Sequence, residues 1–224
     1  MILLGSLVNG GAIVVGGLVG MFAGKLLPER LRTSVMAALS LMTIGIAIPG
    51  LLKSDNALIP IISMVVGTII GELLDIDTAV NRLGENLQKR FSGSRVTEGF
   101  VTGSLVFAIG ALAVMGPLQS GLQYQHDLLF SKSVIDGVAS IVFASTLGLG
   151  VALSGLMVFA VEGSIALLAS VVAPYLGEAV VNEITFVGSL LIVGISLNLL
   201  GITKLRILNM VPAILLPVLL CRFM

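Results

Sequence analysis

Residues 134–177 read VIDGVASIVFASTLGLGVALSGLMVFAVEGSIALLASVVAPYLG, a run of 44 residues carrying only two charges, Asp136 and Glu162. At about 1.5 Å of rise per residue, one helix of that length would reach about 66 Å, twice the roughly 30 Å hydrocarbon core of a bilayer. The stretch therefore predicts two passes of opposite direction, turning near Ser154–Gly155. Reading outward from it, apolar runs between charges and turn residues give eight spans, at roughly 5–24, 33–52, 57–74, 99–118, 134–154, 158–177, 184–201 and 206–221.

Composition agrees with the run. Hydrophobic residues make up 57% of the chain and charged residues 11%, against about 25% charged in a soluble domain. Runs near 20 residues match helices, whereas the strands of outer-membrane barrels alternate over about 10. The expected fold is an all-α, polytopic bundle of transmembrane helices, one integral membrane domain over residues 1–224 with the lipid bilayer as its surroundings. Formal net charge is zero and there is no basic tract, so the electrostatic signature of nucleic-acid binding is missing. One cysteine, Cys221, excludes an intrachain disulfide and a cysteine-only metal site. No charge precedes Lys25, so a cleavable signal peptide is not expected and the first helix should persist.

Basic residues orient the spans, because cytoplasmic loops collect Lys and Arg. With the N-terminus outside, Lys25, Arg30, Arg32, Arg82, Lys89, Arg90, Arg95, Lys204 and Arg206 fall inside, and only Lys53, Lys132 and Arg222 of the twelve fall outside. Merging the two passes of residues 134–177 would move Lys204 and Arg206 outside and weaken the bias. Eight spans in a cell (inner) membrane, with both termini outside, is the preferred topology.

Ser40–Ile48 reads SLMTIGIAI and Ser189–Leu197 reads SLLIVGISL, 149 residues apart. Pro28 against Pro174 and Met64-Val65 against Met210-Val211 keep a spacing of 146. These blocks predict an internal repeat, residues 5–74 (spans one to three) against 158–224 (spans six to eight). The offset of five spans is odd, so the copies would have inverted topology, a plan found in many secondary transporters. Residues 99–157 would hold two intervening spans without a sequence counterpart. Residues 75–98 place Ile76, Val80, Leu83, Leu87 and Phe91 at helix-like spacing among charges, a pattern that fits either an amphipathic cytoplasmic connector or a solvated extension of span three.

Gly16, Gly20 and Gly24 recur every four residues, as do Gly67 and Gly71. Small residues at that spacing let membrane helices approach closely. Plain packing accounts for them, and sliding surfaces between moving helices are the functional alternative.

A charge at the centre of a membrane helix costs on the order of 2.5–3.5 kcal/mol on insertion scales, so it needs a partner, water or a function. Asp136 is placed near the outer start of span five, where capping a helix accounts for it. Glu162 sits about one turn into span six, with a structural and a binding role equally open. No Lys or Arg is expected inside a span beside them, so a carboxyl buried alone there would take up a proton or bind a cation. Neutral oxygen donors surround them: Ser140, Ser145, Thr146 and Ser164 on spans five and six, Asn198 on seven and Asn209 on eight. Ser145–Gly155, STLGLGVALSG, offers hydroxyls and glycines and is the candidate for a broken helix, with Ser145 and Thr146 as a possible Na⁺ site. Hydroxyls that bond back to their own helix are the competing reading. Enzyme motifs are missing, the single His126 lies in an outer loop, and no cofactor is implied; an enzyme is the least favoured class.

LPERLRTSVMAALSLMTIGIAI (27–48), GELLDI (71–76), KSVIDGVASIVFASTLGLGV (132–151) and EGSIALLAS (162–170) resemble the bacterial inner-membrane family typified by YqgA and YdfK, domain of unknown function 554. The likeness runs over nearly the whole chain and implies a bacterial inner-membrane protein without a settled activity. The resemblance also implies a neutral Gln before the glycine matching Gly163. Glu162 departs from that pattern, which favours a local hydrogen-bonding role there. The functional expectation is a small secondary transporter of a solute or ion, cation-coupled, alternating access between inverted repeats. A passive channel and a structural or regulatory membrane subunit are the alternatives, and closed symmetry makes a homodimer the default assembly.

Overall fold

The computed structural model describes residues 1–24, 26, 28–79, 95–109 and 111–223. Most of the predicted connector 75–98, with Val80, Arg82, Lys89, Arg90 and Phe91, and also Lys25, lie outside the described residues. Among the described residues every regular element is helical: α1 Leu4–Gly24, α2 Glu29–Leu51, α3 Leu58–Leu74, α4 Val96–Ala108, α5 Ala111–Gln123, α6 Asp127–Leu147, α7 Leu149–Leu167, α8 Glu178–Leu199, and α9 Ile207–Leu220. Five of them are long and apolar enough to cross a membrane (α1, Thr33–Leu51 of α2, α6, α7 and α8), and α4 with α5 makes a sixth if the pair, bent by 62°, is one span. The chain is a helical membrane protein. At 17 residues α3 is shorter than those five, and α9 is a shorter apolar helix with a 3₁₀ stretch at Val211–Ile214.

The two-pass reading of residues 134–177 holds, but its turn and both outer boundaries move, the second pass ending at Leu167 and not at 177. Gly148, with φ 70°, stands alone between α6 and α7, a left-handed conformation that glycine adopts without a Cβ clash. The turn therefore lies six residues before Ser154–Gly155, which are buried inside α7. Ser145–Gly155 holds a tight hairpin, and the broken helix is elsewhere: Ile109 is extended (φ −106°, ψ 140°) between α4 and α5. At its other end α6 begins at Asp127, so Lys132 is a residue of the helix and not of an outer loop.

Glycines set how the helices lie. A Cβ on Gly5 would stand 2.7 Å from Leu129 Cδ1, and Cβ atoms on Gly16, Gly20 and Gly24 would collide with the backbone of Gly137, Ile141 and Ser145. α1 therefore runs parallel to α6 with backbones nearly touching, the close approach that small residues permit. On its other side Gly10 meets Phe159 and Gly17 meets Ala152, so α1 is antiparallel to α7. Gly50 meets Ser189 and Thr185, while Leu39 and Leu199 share a core cluster, so α2 is antiparallel to α8. Gly67 abuts Ala213 and Gly71 abuts Asn209, which makes α3 antiparallel to α9. α4 and α5 run parallel to α7, with Gly99 against Val151, Gly103 against Ser154, and Gly121 against Ala166.

These directions define two ends of the bundle. The first face carries the N-terminus of α1 and the α2–α3, α5–α6 and α7–α8 connections; the second carries the α1–α2 connection, the Gly148 turn and the end of α8. Large apolar side chains such as Val15, Phe22, Ile61, Val65, Val134 and Val138 point outward, an apolar surface too large for a soluble monomer and suited to lipid.

Candidate functional site

Four polar side chains from α1, α6 and α7 meet inside the bundle, toward the first face. Asn9 Nδ2 donates to Glu162 Oε1 at 2.9 Å and to Asp136 Oδ2 at 3.2 Å. The Lys132 ammonium donates to Asp136, lies 3.4 Å from Glu162 Oε1, and donates to the backbone oxygen of Phe107 at 2.6 Å. All four are buried, Asn9 and Glu162 completely. Sequence spacing builds the pair on α6: Lys132 and Asp136 are four apart and so share one helix face, while Val134, Ile135 and Val138 take the exposed face.

The expectation that no basic residue would enter a span is thus corrected. With α6 starting at Asp127, Lys132 stands more than a turn inside it and Asp136 more than two turns inside, beyond any capping position. Lys132 also explains how the chain tolerates its broken helix. Phe107 lies in the last turn of α4, where carbonyls lose their helical donors, and an ammonium there satisfies one of them and complements the helix dipole.

Charge and hydrogen bonding remain uneven. One ammonium faces two carboxyl groups. Asn9 Oδ1, Glu162 Oε2 and, one turn earlier on α1, Ser6 Oγ are buried without a partner among the described residues. A buried charge or acceptor left unmatched costs several kcal/mol, so the site has room in its chemistry for a proton, a small cation or water.

The Lys132–Asp136 pair also lines a cleft of about 310 Å³ on the first-face side, bounded by Pro49 and Gly50 of α2, Ile109 at the helix break, and Thr185 and Ser189 of α8. Lys53 stands at its edge.

The other predicted residues are not drawn into this site. Ser140 Oγ donates to Gly137 O, Ser145 Oγ to Val142 O, Thr146 Oγ1 to Phe143 O and Ser164 Oγ to Ala160 O, all within their own helices. Ser164 is exposed and Ser145 half-buried. The hydroxyls, Ser145 and Thr146 of the expected Na⁺ site included, bond back to the preceding turn as helix residues do. Asn198 organises the α8–α9 turn: its Oδ1 accepts from Leu205 N at 2.8 Å and Thr203 Oγ1 at 2.7 Å, and its Nδ2 donates to Leu205 O. Asn209 is fully buried against α3, and its Oδ1 accepts from Asp77 N at 2.7 Å. Asp136 and Glu162 are the two candidates brought together. The reading missed was Lys132, for which the K-x-x-x-D spacing at 132–136 was the available signal, and Asn9 joins the site from α1. No group of three or more His, Cys, Asp or Glu suited to a metal occurs among the described residues.

Comparison with known proteins places the chain among relatives of matching length. The family model described as "Protein of unknown function (DUF554)" matches residues 4–222. The chain is 31% identical over 219 residues to the uncharacterized membrane protein YdfK of Bacillus subtilis (strain 168), covering 96% of this chain and 94% of that one. It is 26% identical over 220 residues to the uncharacterized protein YqgA of Escherichia coli (strain K12), covering 95% and 94%. No solved structure matches.

Proposed function

The chain belongs to the DUF554 family of proteins of unknown function, and we propose that it is a small secondary transporter whose coupling cation balances the Lys132–Asp136–Glu162–Asn9 network. The observation that carries this reading is the network itself, a set of buried charges at a broken helix and beside a cleft. Discontinuous helices with charged groups near them are the parts from which secondary transporters build their sites. With both carboxyl groups ionised the network holds one positive and two negative charges, and a proton or Na⁺ would bring it to neutrality.

Eight passes and inverted repeats belong to this proposal. They are supported by the antiparallel pairs α1/α7, α2/α8 and α3/α9, the same pairs of spans that the sequence echo relates. The two passes outside the echo add to this: α6 packs parallel to α1, and α4–α5 packs parallel to α7. Arg30, Arg95, Lys204 and Arg206 fall at the second face, which favours that face as cytoplasmic and both termini as external.

The test is flux in proteoliposomes under imposed proton and Na⁺ gradients. One gradient should drive uptake from a panel of small solutes, and Glu162→Gln, neutral and of equal shape, should remove the gradient dependence while circular dichroism stays unchanged. Flux indifferent to both gradients would replace the proposal with a passive channel. Absence of flux over the panel would replace it with a structural membrane subunit.

A further inference from the structure

A second cleft, of about 290 Å³, lies at the opposite end of the α2/α8 pair, toward the second face. Thr97, Glu98 and Val101 of α4, Ile195, Asn198 and Leu199 of α8, and Leu205 and Arg206 of the following segment are among its walls. Its relation to the first cleft is regular. Ile46, Pro49 and Gly50 of the first cleft stand 149 residues before Ile195, Asn198 and Leu199 of the second. That is the spacing of the SLMTIGIAI and SLLIVGISL blocks. The repeated segment thus lends the same three positions to a cavity at each end of the bundle.

What separates the clefts is thin and mainly apolar. Ala47, Val101, Leu105, Leu191, Ile192 and Ile195 form one buried cluster, against which Val106 and Ile109 pack. Val106 lines the first cleft and Val101 the second, five residues apart on α4 or about 7.5 Å along its axis. On α8, Ile192 lines the first and Ile195 the second, about 4.5 Å apart. A partition of one or two side-chain layers has no backbone hydrogen bonds to break, and beside its apolar side chains the Thr102 hydroxyl of α4 is buried without a partner among the described residues.

We infer that the two clefts are the halves of a single solute route, closed at its middle by an apolar septum centred on Leu105, Leu191 and Ile192. The route is lined by charge at both ends, Lys53, Lys132 and Asp136 on one side and Asp77, Glu98, Lys204 and Arg206 on the other. Each cleft is at the small end of ligand-binding cavities. It therefore takes a small hydrophilic ion or solute. This deepens the transport reading, and it rests on that reading only for the claim that something crosses.

Accessibility tests the route without any flux. In a Cys221→Ser background, single cysteines replace Val106 and Val101, and a charged membrane-impermeant thiol reagent is applied to one face at a time in oriented vesicles. Val106→Cys should react from the first face only and Val101→Cys from the second only. Ile192→Cys and Ile195→Cys repeat the test on α8, in case an α4 variant fails to fold. Reaction of both members of a pair from the same face would overturn the inference, as would reaction of each from both faces, which would mean an open pore. Failure of both, while Lys53→Cys and Lys204→Cys at the mouths react, would also overturn it. Opposite-sided labelling without gradient-driven flux would leave the route standing and remove the coupled-transport reading.

Discussion

Two clusters in this molecule use the same chemistry, one base against several acids, in opposite surroundings. Lys132 sits between Asp136 and Glu162 with side-chain exposures of 6%, 9% and 0%. Arg206 sits among Glu72, Asp75 and Asp77 with exposures of 43%, 45%, 52% and 23%. Arg206 has the richer contacts: it holds Glu72 Oε2 at 2.8 Å, pairs with Asp75, and reaches Thr78 Oγ1 at 3.2 Å. Contact number does not decide which cluster matters more. Water screens the second on all sides, whereas the first is buried and meets only the narrow cleft beside Lys132 and Asp136, so losing a partner is cheap in one and severe in the other.

The sharpest way to break the comparison is to remove each base. Lys132→Met leaves two carboxyl groups buried without their cation and frees the Phe107 carbonyl at the helix break. The expected loss is about 3–5 kcal/mol, the cost of orphaning one side of a buried pair. It is measurable as a lowered midpoint of the circular dichroism melt in detergent. Combining it with Asp136→Asn should cost less than the sum of the single changes, because the neutral amide no longer needs the ammonium. Strict additivity would mean that the two side chains do not interact.

Next in size is the seam that holds the buried cluster together. Asn9 reaches Asp136 and Glu162 from α1 because the α1 glycines bring its backbone against α6. Gly20→Val would push a branched side chain into the Ile141 carbonyl and should cost about 1–3 kcal/mol, the usual scale of overpacking. It should also weaken the Asn9 contacts. Gly11, on the same helix with nothing within 4 Å of an added Cβ, gives the control: Gly11→Ala should be neutral or stabilising by about 0.5–1 kcal/mol. Equal effects of the two changes in the same melt would show that the seam is not backbone-close.

The seam and the spans were legible in sequence because hydrophobic run length and glycine spacing are local signals. Run length required two passes through residues 134–177, and Gly16, Gly20 and Gly24 lie where α1 touches α6. The site was legible only in its acids. Lys132 was assigned to a loop because a charge is the ordinary mark of a span's end; the K-x-x-x-D spacing was the one local hint, and nothing local says that a second carboxyl, on α7, will join the pair. That information is tertiary: it needs α6 and α7 packed together beside α1. The hairpin turn was misplaced for a related reason, since Gly148, Gly150 and Gly155 all permit a turn. Gly150 is instead occupied by packing against Val96 and Phe100. The broken helix at Ile109 carried only a weak local signal, the single Gly110 in an apolar run.

The smallest expected effect belongs to Arg206. Arg206→Gln removes every ion pair of the second cluster, yet the melt should not move measurably at physiological salt, because exposed pairs contribute little and are screened within about 8 Å. A shift comparable to that of Lys132→Met would refute the distinction drawn between the clusters. A low cost is also what the route requires. Arg206 lines the second cleft and ties it to the end of α3, so any opening of that cleft must part these pairs, and a buried pair would hold it shut. Arg206→Gln should then speed the labelling of Val101→Cys from the second face and leave Val106→Cys at the first face unchanged. An unchanged rate at Val101 would show that the Arg206 pairs lie beside the route without guarding it.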